Sequence, residues 1–150
     1  VSERLRGIAA IAIGLGVSGF LLHGTISDAL VFRGDAVSYQ RGLQAAIPYY
    51  RRAVMIDRGS RLALDRLAFA VWFSHDEGSV AGVLAMLDAH PMHAAEDAEL
   101  AIDRALIEKS HGMRVRAGED FVLAGTLRND ARLRTTGMRL LVARHEGSSR

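Results

Sequence analysis

Residues 14–19 read GLGVSG, and the fold turns on what they are. Gly14, Gly16 and Gly19 satisfy G-x-G-x-x-G, the spacing that lets a tight turn bring backbone N–H groups against a dinucleotide pyrophosphate. The run IAAIAI (8–13) before them passes for a first strand, and Asp35 stands where a ribose-binding acid could sit. A nucleotide-binding enzyme is therefore one reading. It also requires a parallel sheet downstream, and the rest of the chain lacks β-branched strand runs alternating with helices.

The other reading is a helix that crosses a membrane. From Gly7 to Ser27 there is no charged residue, 21 positions bounded by Arg6 and Asp28. As a helix this stretch is about 31 Å long, close to the thickness of bilayer hydrocarbon. Ala10, Gly14 and Ser18 fall at i, i+4 and i+8, a small-residue stripe of the kind that lets membrane helices approach closely. Arg4 and Arg6 precede the span, whereas Asp28, Arg33 and Asp35 follow it. That bias places the N-terminus in the cytoplasm and the bulk of the chain in the periplasm. A cleaved signal peptide shares the charged start and apolar middle, but VSG (17–19) is a poor cleavage site. The preferred reading is an uncleaved anchor.

The 150 residues have room for one ordinary domain and an appendage. There is no Cys, which removes disulfides, thiolate metal sites and a cysteine nucleophile together. Net charge is +2 with acidic and basic residues interspersed, so no basic face is offered to nucleic acid. Lys109 is the one lysine among 19 basic residues, a bias that points to a GC-rich bacterial gene.

Beyond the anchor, apolar residues recur at helical spacing. Leu30, Gly34 and Val37 share a face, as do Ala46, Tyr50 and Ala53. DRGS (57–60), SHDEGS (74–79) and HPMH (90–93) break the periodicity. A further helix is expected from about Ala95 to Lys109 with Gly112 at its end, and Pro48 in the first turn of its helix or kinking it. At a constant offset of 34, Leu30 maps to Leu64, Gly34 to Ala68, Val37 to Val71, Ala46 to Val80, Tyr50 to Leu84 and Ala53 to Leu87. Such a period marks repeat architectures.

With this period the chain resembles the tetratricopeptide repeat family, most clearly in AAIPYYRRAVMID (45–57). Ala46, Tyr50 and Ala53 match the small–aromatic–small pattern of that family's second helix. Gly34 and Ala68 match the small residue of its first helix, where the two press together. The chain departs from the pattern at Arg58, where proline is usual, and at Val80 and Leu87, where small residues are usual. Ala98, Ile102 and Ala105 keep the register as the first helix of a third copy. The resemblance covers residues 27–109 and implies that one face of each first helix lines a groove for a partner. That face carries Asp35 and Tyr39 in the first copy, and Asp65, Phe69, Trp72 and Phe73 in the second. Trp72 and Phe73 have another reading, as filling between helices. An unrelated antiparallel bundle is the alternative fold.

The stretch MRVRAGEDFVLAG (113–125) reads as a short hairpin or a further helix. RNDARLRTTGMRLLVARHEG (128–147) reads as an Arg-rich amphipathic helix starting near Asn129 or Asp130, which would cap the stack. Chemistry is hard to find. His90 and His93 flank Pro91 and lack further metal ligands, Ser74, His75 and Asp76 form a helix-ending turn, and His23 sits at the edge of the span. Glu96, Asp97, Glu99 and Asp103 read as solvent-facing.

The expectation is an all-α protein: residues 1–6 cytoplasmic, 7–27 a single transmembrane anchor, 28–112 tetratricopeptide-like hairpins, and 113–150 a C-terminal region with the capping helix. Neither catalytic residues nor a metal or other cofactor are expected. The expected role is a scaffold or accessory subunit in the bacterial inner membrane, with the lipid bilayer and integral-membrane subunits as partners. A free-standing periplasmic adaptor for envelope or secretion machinery is the alternative.

Overall fold

A computed structural model describes residues 24–147, and every regular element among them is helical. Helix α1 covers residues 24–41. It is followed by α2 (Leu43–Ile56), α3 (Arg61–Ser74), α4 (Glu77–Asp88), a 3-10 turn (Ala95–Asp97), α5 (Ala98–Ser110), α6 (Arg114–Leu127) and α7 (Ala131–Gly147). The order is three helical hairpins and a terminal helix, compatible with a helical repeat. None of these helices is long and apolar enough to cross a membrane. The proposed packing stripe Ala10, Gly14 and Ser18, the glycines of GLGVSG and nearly all of the anchor lie outside the described residues.

Each hairpin turns on a residue in the left-handed conformation. Gly42 (φ 87°) joins α1 to α2, His75 (φ 52°) ends α3, Gly112 (φ 76°) follows α5, and Asn129 (φ 54°) lies between α6 and α7. Such a residue lets the chain reverse while the last carbonyls of the helix find donors. After α3, the N–H groups of His75 and Asp76 reach back to Trp72 O and Val71 O. Helix starts are capped by side chains. Ser60 accepts from Ala63 N at 3.3 Å, and Asp130 accepts from Arg132 N at 2.8 Å. Pro48 lies in the second turn of α2, inside the helix.

Buried Tyr50, Leu64, Leu67, Leu87, Leu100 and Ile107 form a continuous core, each side chain contributing about 1.5–3 kcal/mol on transfer from water. Gly34 of α1 lies against the Tyr50 ring, where an added Cβ would meet Cε1 at 2.5 Å. This is the small-against-aromatic contact that the repeat pattern anticipates. The helix boundaries carry the 34-residue offset from α2 to α4, since Leu43 and Glu77 are the first residues.

The third hairpin departs from that offset. Both of its helices begin 37 positions after their counterparts, Arg61 to Ala98 and Glu77 to Arg114, because the 3-10 turn is inserted ahead of α5. The expected register of Ala98, Ile102 and Ala105 is therefore corrected: Ile102 is only partly buried, and the burial of Leu100, Ala101, Ala105 and Ile107 follows the shifted register. The segment 113–125 belongs to a full helix, α6, which completes this hairpin. Helices α6 and α7 cross so closely that a Cβ on Gly125 would lie 2.6 Å from Arg134 N.

Candidate partner-binding face and its carboxylates

Asp65, Phe69, Trp72 and Phe73 occupy i, i+4, i+7 and i+8 of α3 and so share one side of the helix. Phe69 stacks on Phe73 with centroids 5.7 Å apart, and Trp72 lies 6.0 Å from Phe69 and 6.3 Å from Phe73. Trp72 is half-buried against the core, whereas Phe73 is 60% exposed. The two readings of this cluster thus divide between its members: Trp72 fills, and the phenylalanines face outward.

Helix α1 supplies the neighbouring strip. Tyr39 is 94% exposed and stands free of the core. Asp35 accepts a hydrogen bond from the buried Tyr50 hydroxyl at 2.8 Å, and Arg66 Nε lies 3.4 Å from Asp35 Oδ1. Burial, reinforced by the Asp35 contact, pushes the Tyr50 phenol well above its ordinary range. Arg66 also reaches Asp65 Oδ2 at 3.4 Å. One guanidinium therefore joins the two carboxylates assigned to the face, and with them α1 to α3.

From the other side α5 brings Asp103, which is buried. Burial first, then the charges of Asp65 and Glu99, push its carboxyl up to about 8. Burial also raises Asp65, with Arg66 opposing it. Two neighbouring carboxylates cannot both ionise cheaply, so burial and the Asp65 charge together favour the protonated form of Asp103. The expectation that Asp97 and Asp103 face solvent is overturned, since they are 5% and 7% exposed; Glu96 and Glu99 are exposed as expected. Asp97 is a joint of the fold. It accepts from the backbone of His93 and Ala94 and pairs with Arg61 at 3.0 Å, and these hydrogen bonds hold its carboxyl below the usual range. His90 lies 3.9 Å from the same carboxylate. Among the described residues no group of His, Asp and Glu is arranged to hold a metal ion.

A second polar cluster escaped the sequence reading entirely. Arg104 of α5 binds Asp120 of α6 through Nε and Nη2, both at 2.6 Å, and reaches Asp88 of α4 at 3.2 Å. Arg116 of α6 lies 2.8 Å from both Asp88 Oδ1 and Glu108 Oε1. Glu108 is fully buried, and burial with the charge of Asp120 pushes its carboxyl up to about 7. Its only sequence signal is the shifted register, in which Arg104, Glu108 and Asp120 stand at the positions of Leu67, Val71 and Val83. That signal appears only once the 3-10 insertion is seen.

No family model matches this sequence, no curated protein matches it, and no solved structure matches its fold.

Proposed function

We propose that this chain is a non-catalytic, membrane-anchored scaffold or accessory subunit of a larger bacterial membrane complex, built from tetratricopeptide-like hairpins. The observation that carries the reading is the exposed Phe69–Phe73 ring pair beside Asp65, with Tyr39 on the adjoining helix. A small domain gains nothing by leaving such rings in water, and an aromatic anchor beside a carboxylate is the chemistry of a protein interface. The carboxylates of the face have a structural use, because Arg66 joins Asp65 of α3 to Asp35 of α1.

The anchor reading is supported by the uncharged stretch 7–27 and by its junction with the domain. Helix α1 is already formed at residue 24, and Ser27 is buried with its hydroxyl donating to Ala53 O at 3.2 Å. A span ending there would pass into the bundle without a linker. In this reading the N-terminus is cytoplasmic, the hairpins are periplasmic, and the integral-membrane partners meet Ala10, Gly14 and Ser18 in the bilayer and the aromatic face outside it.

The test is to extract native membranes in mild detergent, capture the full chain, and identify what accompanies it. A stoichiometric set of integral-membrane subunits is expected. The double variant Phe69→Ala/Phe73→Ala should remain in the membrane fraction but lose most of that set, as central aromatic anchors each contribute about 2 kcal/mol or more. A chain that is recovered alone, or that stays in solution without detergent, contradicts the proposal.

A further inference from the structure

We propose that the groove between α2 and α4 is a lipid site, which holds an acyl chain of an anionic phospholipid with the phosphate against Arg58 and His90. The proposal rests on the anchored reading above for its choice of ligand source. Its geometry stands apart from the aromatic face.

Helices α2 and α4 are tied by Arg51 Nη2, which donates to Ser79 Oγ at 2.6 Å, but they do not pack along their length. Past that tie a groove of about 530 Å³ opens. The volume falls in the range of roughly 300–1,000 Å³ typical of small-molecule sites. Val54 and Met55 of α2, Leu64 of α3 and Met86 of α4 give it apolar walls. Gly82 also lines it, and a Cβ there would meet nothing within 4 Å, so the space is open rather than filled by a neighbour.

The polar chemistry of the groove is one-sided. Arg58 and His90 line it, and no carboxylate does. Arg58 is exposed and makes no ion pair among the described residues, and His90 has only Asp97 at 3.9 Å, which Arg61 already engages. An apolar trough with an unengaged guanidinium at its edge matches a ligand with an apolar tail and an anionic head.

Position supplies the source. The Ser27 hydroxyl holds the start of α1 against Ala53, the residue preceding Val54 and Met55. The end of the domain that would meet the bilayer is therefore the end where the groove lies. Ile26 (48% exposed), Met55 (67%) and Leu62 (43%) add apolar side chains that the bundle leaves uncovered. A phospholipid could place one chain in the groove while its head stays at the interface.

The full chain is reconstituted into nanodiscs containing phosphatidylglycerol and phosphatidylcholine, re-extracted in mild detergent, and examined by native mass spectrometry for retained lipid. Phosphatidylglycerol should be retained in preference to phosphatidylcholine. Arg58→Glu, which reverses the head-group contact, and Gly82→Trp, which fills the groove, should each enter nanodiscs and keep the helical circular dichroism. Each should reduce retained phosphatidylglycerol about tenfold. Equal retention of both lipids, undiminished retention by both variants, or retention of a free fatty acid instead overturns the lipid site while leaving the anchor standing. Failure of the wild-type chain to enter nanodiscs overturns the anchor and the lipid site together.

Discussion

The second and third hairpins solve the same packing problem with opposite chemistry. Leu67, Val71 and Val83 are buried in the second; the corresponding positions of the third are Arg104, Glu108 and Asp120. Around them the apolar pattern persists: Leu64 corresponds to Ala101, Ala68 to Ala105 and Leu84 to Phe121, all buried. The third hairpin has the same helical frame, with a network of ions where the second has apolar side chains. Apolar burial is non-directional, whereas a two-pronged Arg104–Asp120 contact fixes how α5 and α6 sit. The network also recruits Asp88 of α4, so it aligns the third hairpin on the second.

The comparison breaks most visibly at its charged centre. Arg104→Leu by itself restores the residue type of Leu67 but strands Asp120 in the core beside Glu108, which keeps Arg116. A loss of about 3–5 kcal/mol in urea unfolding is expected. On the apolar side, Leu67→Ala leaves no stranded charge and should cost about 2–5 kcal/mol through lost transfer energy and the cavity left behind.

Acidity sharpens the contrast, because the two most strongly raised carboxyls, Asp103 and Glu108, belong to the third hairpin, whereas Asp65 of the second is raised less. Asp103, ordinarily near 3.8, titrates near 8 while facing Asp65, Glu99 and Arg66. Glu108, ordinarily near 4.5, titrates near 7 while facing Asp120, Arg116 and Arg104. In each case the folded chain holds the proton more tightly than the unfolded chain, so this stabilisation is complete below the unfolded value and is lost as pH rises to the folded one. The raised imidazolium of His111, held by Ile107 O and Glu77, adds in the same direction. The melting temperature should therefore fall between pH 5 and pH 9. Asp103→Asn, which cannot titrate, should flatten the slope; an unchanged slope would refute the raised Asp103 carboxyl.

The smallest effect lies in the second hairpin. Gly82 sits in mid-helix with room for a methyl group, so Gly82→Ala should stabilise the domain by about 0.4–1 kcal/mol in thermal unfolding.

What the sequence disclosed follows the same divide. Apolar periodicity and the offset of 34 located the first two hairpins, because Tyr50, Leu64 and Leu87 advertise burial by residue type. Gly34 was legible as the small residue where two helices press together, though not that the Tyr50 ring is what it meets. Arg104, Glu108 and Asp120 were hidden, since a charge on a helix normally means solvent and only the partner across the bundle reveals otherwise. Asp103 misled for that reason too. That Asp65, Phe69, Trp72 and Phe73 share one side of α3, with Asp35 and Tyr39 on α1, was legible from spacing, but Arg66, which joins the two carboxylates, carries no local signal. The α2–α4 groove depends on a separation between helices that no residue pattern encodes.

The central claim is that the third hairpin repeats the helical frame of the second in a shifted register, with an ion network standing in for part of the apolar core. The most direct test is urea unfolding of the triple variant Arg104→Leu/Glu108→Val/Asp120→Val beside Arg104→Leu alone. If the claim holds, the triple variant recovers the stability lost by the single one, to within about 1 kcal/mol of wild type or above it. A triple variant as unstable as Arg104→Leu would show that these positions are not interchangeable with Leu67, Val71 and Val83, and would contradict the account.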